Sequence, residues 1–242
     1  MEIQIRLEKP EKFKILEGIY LVNKALWLEK LKLLAIADLH IGYEEYLNEQ
    51  GIAIPRQQLS IMKKELALLL DSLRPRQVVI NGDLKHEFGE ISKQEWKETN
   101  EILDLILAKA NVILVKGNHD TILEPIARKK GLEIFDYFCA DSICFMHGHR
   151  IFDEPLKKSK TLILAHIHPA IKLREGIRSE KYKCWLVGAW KKRNVIIMPS
   201  FLFYIEGAEI LSSELPLPIS PKNFSVFAIE DKIYKLGKLE KL

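Results

Sequence analysis

Residues 32–40 read KLLAIADLH. The apolar run from Lys32 to Ala37 predicts a buried strand that ends abruptly at Asp38. Open α/β sheets bind their ligands beyond the carboxyl ends of their strands. We therefore expect Asp38 and His40 to lie at a functional edge of a sheet.

The same arrangement recurs twice further along the chain. Residues 55–73 and 92–109 carry apolar side chains at helical spacing, and predicted strands follow them at 77–81 and 111–115. Each of these strands again runs into a polar motif, Gly82-Asp83-Leu84-Lys85-His86 in the first case and Gly117-Asn118-His119-Asp120 in the second. Strands and helices that alternate in this way are typical of a sheet with parallel strands.

The C-terminal half is predicted to be mainly β. After a short helix at 122–130, apolar or β-branched runs predict strands at 132–135, 142–146, 161–165, 183–189 and 195–199, with a hairpin connection at 190–194. Further short β segments are predicted at 3–7, 18–22, 25–28, 224–229 and 232–236, the last two after an irregular, proline-rich stretch at 212–222. We therefore predict the fold class α/β, as a two-sheet αββα sandwich with outer helices. Residues 1–242 are expected to form a single domain, with 212–242 as a C-terminal β appendage to it.

The composition is that of a globular protein. Of the 242 residues, 48% are hydrophobic and 29% are charged, so no part of the chain is predicted to be disordered. The net charge of +4 is a mild excess that could steer an anionic substrate inward without singling out nucleic acid. Basic residues cluster at 157–160, 174–183 and 191–193, where solvated loops or hairpin tips are the favoured interpretation.

Cysteine usage and hydropathy predict a cytoplasmic protein. Cys139, Cys144 and Cys184 are odd in number and show no Cys-x-x-Cys spacing, so we expect reduced cysteines and no disulfide framework. No run reaches the roughly 18 apolar residues of a membrane helix, and the N-terminus has no basic stretch followed by an apolar one. We expect no association with a membrane.

All seven histidines lie in short motifs that also contain acidic, amide or glycine residues. A two-metal hydrolytic site needs a carboxylate that bridges both ions, and Asp83 follows a strand and a glycine, where its carboxylate can stand clear of the backbone. Mixed Asp, Asn and His ligands suit Mn, Fe or Zn better than Mg or Ca, which prefer oxygen. We expect two divalent ions, with Mn first and Fe or Zn as alternatives.

The order of these motifs resembles that of the calcineurin-like metallophosphoesterase family, from Asp38-Leu39-His40 through to His166-Ile167-His168. The resemblance covers residues 32 to 170 and implies a two-sheet sandwich flanked by helices. It implies one metal held by Asp38, His40, Asp83 and His168, and a second held by Asp83, Asn118, His147 and His166. It also implies that His119 is not a ligand but faces the substrate, where it stabilises the transition state or protonates the leaving oxygen.

Two positions depart from the common family pattern. Protein phosphatases of the family carry an acid, followed by Arg-Gly, where this chain has His86. A histidine there is similar to the SbcD/Mre11 nucleases, in which it helps to position the DNA strand, so we predict His86 as a second catalytic residue. Ala165 replaces the usual glycine before the last motif. The chain thus resembles archaeal SbcD-related phosphoesterases and bacterial ligase-associated DNA-repair phosphoesterases.

The resemblance implies hydrolysis of phosphodiesters by a metal-bridging hydroxide, with DNA or a nucleotide as candidate substrates. A small-molecule or cyclic-nucleotide phosphodiesterase or phosphomonoesterase is the alternative enzyme, and a non-catalytic scaffold on the same fold is the alternative of another class. About 70 residues follow the last motif, too few for the cap and ATPase-binding segment of a full SbcD, so no ATPase partner is expected. The oligomeric state stays open. The role of Asp120 also stays open, because it could orient nearby groups or cap a helix. His149 could face the substrate, support His147 from behind or lie in a loop.

Overall fold

The computed structural model describes residues 10–89, 91–176, 178–211 and 219–242. The strand predicted at 3–7 and the part of the proline-rich stretch at 212–218 lie outside these ranges.

The first sheet contains the strands from the N-terminal half of the chain, in sequential order. Its first four strands are antiparallel neighbours, and the fourth to the seventh are parallel. The strands are β1 (Phe13–Leu16), β2 (Ile19–Val22), β3 (Ala25–Leu28), β4 (Leu33–Ile36), β5 (Gln77–Asn81), β6 (Asn111–Val115) and β7 (Ile134–Phe135).

The second sheet contains the strands of the C-terminal half, namely β8 (Phe138–Ala140), β9 (Ile143–Phe145), β10 (Thr161–Leu164), β11 (Pro169–Glu175), β12 (Arg178–Trp190), β13 (Arg193–Ile197), β14 (Ala208–Glu209), β15 (Ser225–Ile229) and β16 (Ile233–Lys238). The main path runs β14-β11-β12-β13-β10-β9-β8, and β15 pairs with both β12 and β16. The last two strands are therefore hydrogen-bonded into this sheet rather than set apart from it.

Five described α-helices flank the sheets, namely α1 (Tyr43–Glu49), α2 (Gln58–Leu73), α3 (Lys93–Leu107), α4 (Glu124–Lys129) and α5 (Asp153–Lys158). Short 3-10 helices cover Asp120–Ile122 and Leu239–Lys241. Ser92 caps the N-terminus of α3, because its hydroxyl accepts a hydrogen bond from the backbone N–H of Glu95 at 2.9 Å. Among the described helices, none is long and apolar enough to cross a membrane.

Three apolar clusters hold these layers together. One lies between the two sheets and includes Val79, Ile113, Ile163 and Trp185. The second packs α2, α3 and α4 on the outer face of the first sheet, and the third covers the outer face of the second sheet with residues of α5 and of the C-terminal segment. Burial of apolar surface on both faces of each sheet explains the layered arrangement. The predicted two-sheet α/β sandwich with outer helices is confirmed.

The expectation that all cysteines are reduced is wrong for one pair. Cys139 on β8 and Cys144 on β9 form a disulfide, and Cys184 is free and buried. The two residues lie directly opposite each other in an antiparallel hairpin, with their Cα atoms 4.1 Å apart. Spacing rules for metal-binding cysteines do not detect such a pair, because the hairpin register alone brings the two side chains together.

Candidate metal centre

The predicted site motifs converge at one edge of the two sheets. The strands β4, β5 and β6 are parallel neighbours, as are β9 and β10, so their carboxyl ends lie side by side. Asn81 at the end of β5 joins the two sheets there, because its side-chain amide donates to the carbonyl of Met146 at 3.3 Å. The motif residues that follow these strands are Asp38, His40, Asp83, Asn118, His119, His147, His166 and His168.

The backbone at this edge has an unusual conformation. Five of the predicted ligands have positive φ angles between 43° and 73°, although none is glycine; they are Asp38, His40, Asp83, His166 and His168. Each such residue costs about 1–3 kcal/mol and persists only where the surrounding structure holds it. The chain turns sharply after the strands, and this turn directs alternate side chains into the same space.

Asp38, His40 and His168 each offer one potential ligand atom to a common point, and we call them the first ligand group. The Nε2 atoms of His40 and His168 are 3.3 Å apart, and His168 Nε2 is 3.4 Å from Asp38 Oδ1. That carboxylate oxygen is buried and has no hydrogen-bond partner among the described atoms. The two imidazole nitrogens and this unpaired carboxylate oxygen lie within 4.8 Å of one another, and such a set fits a divalent cation, which supplies the missing positive partner.

Asp83, His147 and His166 form the second group, and Asn118 adjoins it. His147 Nε2 lies 3.2 Å from Asp83 Oδ2 and 3.1 Å from Asn118 Oδ1. The other ring nitrogen of His147 donates to the carbonyl of Asn81 at 3.1 Å, which leaves Nε2 as the nitrogen available to a metal. The donors of this group therefore also fit a cation.

Asp83 lies between the two groups. Its Oδ2 atom is 3.2 Å from His147 Nε2 and 3.8 Å from His40 Nε2, while its Oδ1 atom accepts the backbone N–H of His119 at 2.9 Å. A Cβ atom on Gly117 would lie 2.0 Å from Asp83 Oδ1, and one on Gly82 would lie 2.1 Å from His147 Nδ1. Both glycines are needed because the carboxylate and the imidazole pass so close to the backbone.

The charges of the site are strongly coupled. Burial acts to raise the pKa of Asp38 and of Asp83, but the neighbouring histidines, His168 and His147 respectively, outweigh it and lower both. Burial likewise acts to lower the pKa of His147, but its contacts with Asp83 and Asp38 raise it to about 9. Burial, with the nearby His168, lowers the pKa of His40 to about 3. Without a metal, the second group therefore carries a proton on His147 at neutral pH.

His119 and His86 lie beside the first ligand group. His119 Nδ1 donates to the backbone carbonyl of His86, so its Nε2 atom is the one left for exchange with a substrate. His86 Nδ1 lies 3.3 Å from His40 Nδ1, which places His86 behind a predicted ligand. Burial, followed by the nearby His119, lowers the pKa of His86 to about 4.

Asp120 is an orienting residue of the loops around the site. Its Oδ1 accepts the backbone N–H of Leu84 at 3.0 Å, and its Oδ2 accepts that of Gly117 at 2.9 Å. Burial, with the nearby Asp83, raises the pKa of Asp120 to about 6. Its carboxylate thus ties the loop of Asp83 to the loop of His119. The 3-10 helix that begins at Asp120 has no side-chain cap.

His149 adjoins the second group without supporting it. Its ring centroid is 5.3 Å from that of His147 and 6.1 Å from that of His166. The nitrogen that anchors His147 is paired with the Asn81 carbonyl, so His149 does not provide that anchor. Its Nδ1 atom is buried without a hydrogen-bond partner among the described residues, and burial first of all lowers the pKa of His149 to about 4.

The sequence patterns did not identify Glu95 or Phe88 as parts of the site. Glu95 Oε1 accepts the backbone N–H groups of His86 at 2.8 Å and of Glu87 at 3.0 Å, and so fixes the His86 loop. Ser92-Lys93-Gln94-Glu95 has the spacing of a helix capping box, but this side chain bonds to the loop instead. The ring of Phe88 lies over His119, with centroids 3.8 Å apart. Only the long-range packing reveals these two roles.

Part of the predicted basic cluster lies on one face of the β11–β12 hairpin. The hairpin begins next to His168, and Lys172 pairs directly with Lys181 across its strands. Because side chains alternate between faces, Arg174 and Lys183 share the face of this pair. Lys183 Nζ donates to Ser200 Oγ at 2.6 Å. Burial lowers the pKa of Lys183 to about 7, so the exposed cations of this face are three. They extend outward from the edge that carries the predicted ligands, and they are Lys172, Arg174 and Lys181.

Comparison with known proteins gives a family match and several similar structures. Residues 31–196 match the family described as calcineurin-like phosphoesterase. The nuclease MPE of Pseudomonas putida is 18% identical with a TM-score of 0.66, over 94% of this chain and 100% of that chain. Yfce, a phosphoesterase from E. coli, is 16% identical with a TM-score of 0.39, over 82% and 88% of the two chains. A comparison with curated proteins found no match. At 18% identity, the similarity to the nuclease structure shows a shared fold alone.

Proposed function

Because the chain belongs to the calcineurin-like phosphoesterase family, and is thus a metal-dependent phosphoester hydrolase, we propose that it uses two divalent ions to hydrolyse phosphodiesters. The observation that carries the two-ion proposal is the position of Asp83 Oδ2, 3.2 Å from His147 Nε2 and 3.8 Å from His40 Nε2. One carboxylate oxygen that faces a ligand of each group is what a bridging ligand requires.

We propose that Asp38, His40, Asp83 and His168 hold one ion and that Asp83, Asn118, His147 and His166 hold the other. Mn is the proposed metal, with Fe and Zn as alternatives, because the set mixes nitrogen and oxygen donors. When bound, such ions lower the pKa of a coordinated water and withdraw charge from the phosphoryl oxygens. The protein keeps its donors in place through the hydrogen bond from His147 to Asn81 and through the sharp turns after the strands.

His119 is the proposed proton donor to the leaving oxygen. Its Nδ1 proton is held by the carbonyl of His86, so Nε2 is the atom that would carry the proton to be transferred. Asp83 Oδ1 fixes the backbone of His119 as well, which couples the position of the imidazole to that of the bridging carboxylate. His86 is proposed to position the substrate strand, as in the SbcD-like nucleases, while its imidazole supports His40.

Nucleic acid is the proposed substrate class. The cationic face of the β11–β12 hairpin supports it, because Lys172 and Lys181 face each other across the strands, where like charges repel. Neither residue has an ion pair within the described part of the chain. A polyanionic strand would relieve that repulsion, and sequence-independent affinity for nucleic acids comes mostly from such contacts with phosphate. No ATPase partner is proposed.

We also propose a cytoplasmic location, on the sequence criteria alone. The disulfide between Cys139 and Cys144 is the observation that counts against it, because disulfides are rare in the cytosol of mesophiles. Proteins of hyperthermophiles are the known exception, and the Lys- and Glu-rich composition is compatible with such a source.

The substrate proposal is tested by stripping the protein of metal, restoring Mn, Fe or Zn, and comparing rates on four substrates. These are bis(p-nitrophenyl) phosphate, single-stranded DNA, a cyclic nucleotide and a phosphomonoester. We expect Mn to give the highest rates. We also expect hydrolysis of bis(p-nitrophenyl) phosphate and of single-stranded DNA. Faster turnover of the cyclic nucleotide or of the monoester would favour the small-molecule enzyme. Metal binding without any turnover would favour the non-catalytic scaffold.

Two variants separate catalysis from metal binding. His119→Ala should lower turnover by about 10²–10⁴-fold, the range of general acid–base catalysis, while metal content by ICP-MS stays at the wild-type level. Asp83→Asn should lose both metal and turnover, because it weakens the bridging ligand. Loss of metal from His119→Ala would mean that the ligand assignment is wrong.

A further inference from the structure

A group of aromatic side chains surrounds His119 and the neighbouring His86. Phe88 is 53% exposed, and its ring centroid is 3.8 Å from that of His119, at an interplanar angle of 35°. His86 stacks on His119 with centroids 5.3 Å apart at 24°. Tyr46 and Tyr43 each lie 4.9 Å from His86. We refer to Tyr43, Tyr46, His86 and Phe88 as the aromatic platform.

The loop that carries His86 and Phe88 is held through its backbone. Glu95 accepts the backbone N–H groups of His86 and Glu87, and the Thr121 hydroxyl donates to the carbonyl of Phe88. The loop that carries Phe88 is therefore anchored by both the Glu95 carboxylate and the Thr121 hydroxyl. An anchored loop that presents a large apolar ring to water beside a reacting group has the form of a binding site rather than of a packing defect.

The geometry limits what the platform can bind. The ring of Phe88 is in direct contact with His119, the residue proposed to act at the leaving oxygen of the scissile phosphate. A group that reaches Phe88 must therefore be attached within a few bonds of that phosphate. Flat aromatic faces bind other flat π systems by stacking, and a nucleobase is the planar group that a nucleic acid carries next to every phosphate.

We propose that the aromatic platform binds an unstacked nucleobase of the substrate, next to the phosphodiester that is cleaved. The site would then take single-stranded nucleic acid in preference to duplex, since the bases of a duplex are stacked on one another and do not reach a side chain without flipping. This inference rests on the proposed function and narrows its substrate class. The cationic hairpin face would contact the phosphates, whereas the platform would contact a base.

The test compares two polyanions that differ only in their bases. One is a short oligo(dT), and the other is an abasic deoxyribose-phosphate chain of the same length and charge. Binding is measured by fluorescence anisotropy with the metal-loaded protein, on phosphorothioate versions of both chains that resist cleavage. The variants are Phe88→Ala and, as a matched control, Tyr234→Ala, which removes a 38% exposed ring from β16 in the C-terminal part of the second sheet.

We expect the wild type to bind oligo(dT) more tightly than the abasic chain. Phe88→Ala should weaken binding of oligo(dT) by about 5- to 150-fold, the range measured for stacking of one base, and should leave binding of the abasic chain unchanged. Tyr234→Ala should alter neither affinity. Phe88→Trp should retain the preference for oligo(dT), and Phe88→Leu, which keeps the apolar volume without the ring, should lose most of it.

The stacking proposal is overturned if the wild type binds the two chains equally, including the case in which it binds neither. It is also overturned if Phe88→Ala weakens both chains by the same factor, because the effect would then not depend on a base. Hydrolysis of the abasic chain by the metal-loaded wild type reports separately on the proposed function. That chain has phosphodiesters but no bases, so phosphodiester hydrolysis can stand even where base stacking fails.

Discussion

Replacement of Gly117 by alanine is expected to disrupt the site although Gly117 is not itself a ligand. A Cβ atom at this position would lie 2.0 Å from Asp83 Oδ1, and 2.3 Å from the Asp83 backbone nitrogen. Contacts of Cβ atoms below 3.0 Å essentially never occur, so the carboxylate must move by about 1 Å. The backbone nitrogen cannot rotate away as a flexible side chain could, so the loop after β5 must shift as well.

The magnitude follows from the position of Asp83 between the two ligand groups. Its Oδ2 atom is 3.2 Å from His147 Nε2 and 3.8 Å from His40 Nε2, so a displacement of about 1 Å spoils its geometry towards both ions. A misplacement of that size costs roughly 100-fold in rate when it affects a reacting group. We therefore expect Gly117→Ala to lower kcat/KM on bis(p-nitrophenyl) phosphate by about 100-fold and to lower the content of tightly bound metal.

The matched control is Gly89→Ala. A Cβ atom on Gly89 would meet nothing within 4 Å, although this glycine lies in the same loop as Phe88. Metal content is measured by ICP-MS after dialysis, turnover by release of p-nitrophenol, and folding by circular dichroism and thermal melting. A folded Gly117→Ala protein with wild-type metal content and turnover would refute the reasoning. So would an equal loss in Gly89→Ala, because that substitution makes no contact.

Three further predictions concern the pH dependence, the His86 loop and the cysteines. His147 has a pKa of about 9 in the metal-free protein, above its unfolded value of 6.5, so this proton stabilises the metal-free fold below pH 6.5 and its contribution disappears as the pH rises through 9. Metal must displace that proton, so the affinity for the metal should rise about tenfold per pH unit between pH 7 and 9. Calorimetry should show the release of about one proton. A metal affinity that does not depend on pH would contradict this. Glu95→Ala should lower kcat about tenfold, because two backbone N–H groups lose their acceptor. Glu95→Gln keeps an acceptor oxygen and should retain most of the activity. Equal effects of the two variants would exclude the positioning role. Denatured protein should alkylate at Cys184 alone without a reductant and at all three cysteines with one, and three modified cysteines without a reductant would disprove the Cys139–Cys144 bond.

The sequence was most informative where local patterns decide the structure. The apolar run at 32–37 predicts β4, and the spacing of Leu59, Met62 and Leu66 predicts α2, because burial of one face repeats at the period of the element. The ligand motifs directly follow predicted strands, so the meeting of Asp38 with Asp83 at one edge could be expected from parallel strand order.

The features that the sequence did not reveal depend on contacts between distant segments. The helix α1 has seven residues, too few to show an apolar period, and was not predicted. The N-terminal half of β12 is mostly exposed, so its polar sequence carries no strand pattern, and only its pairing with β11 makes it a strand. Glu95 has the spacing of a capping box, and its direction towards the His86 loop is set by packing of α3 against the site. Contacts between distant segments therefore decide these features, and local sequence patterns do not show them.

The most direct test of the two-ion site is an anomalous difference map of crystals grown with Mn. Two peaks are predicted about 3.5–4 Å apart, on either side of the Asp83 carboxylate. One should be coordinated by Asp38, His40 and His168, and the other by Asn118, His147 and His166. A single peak, or two peaks that do not share Asp83, would contradict the bridging role of this residue and the two-ion mechanism that rests on it.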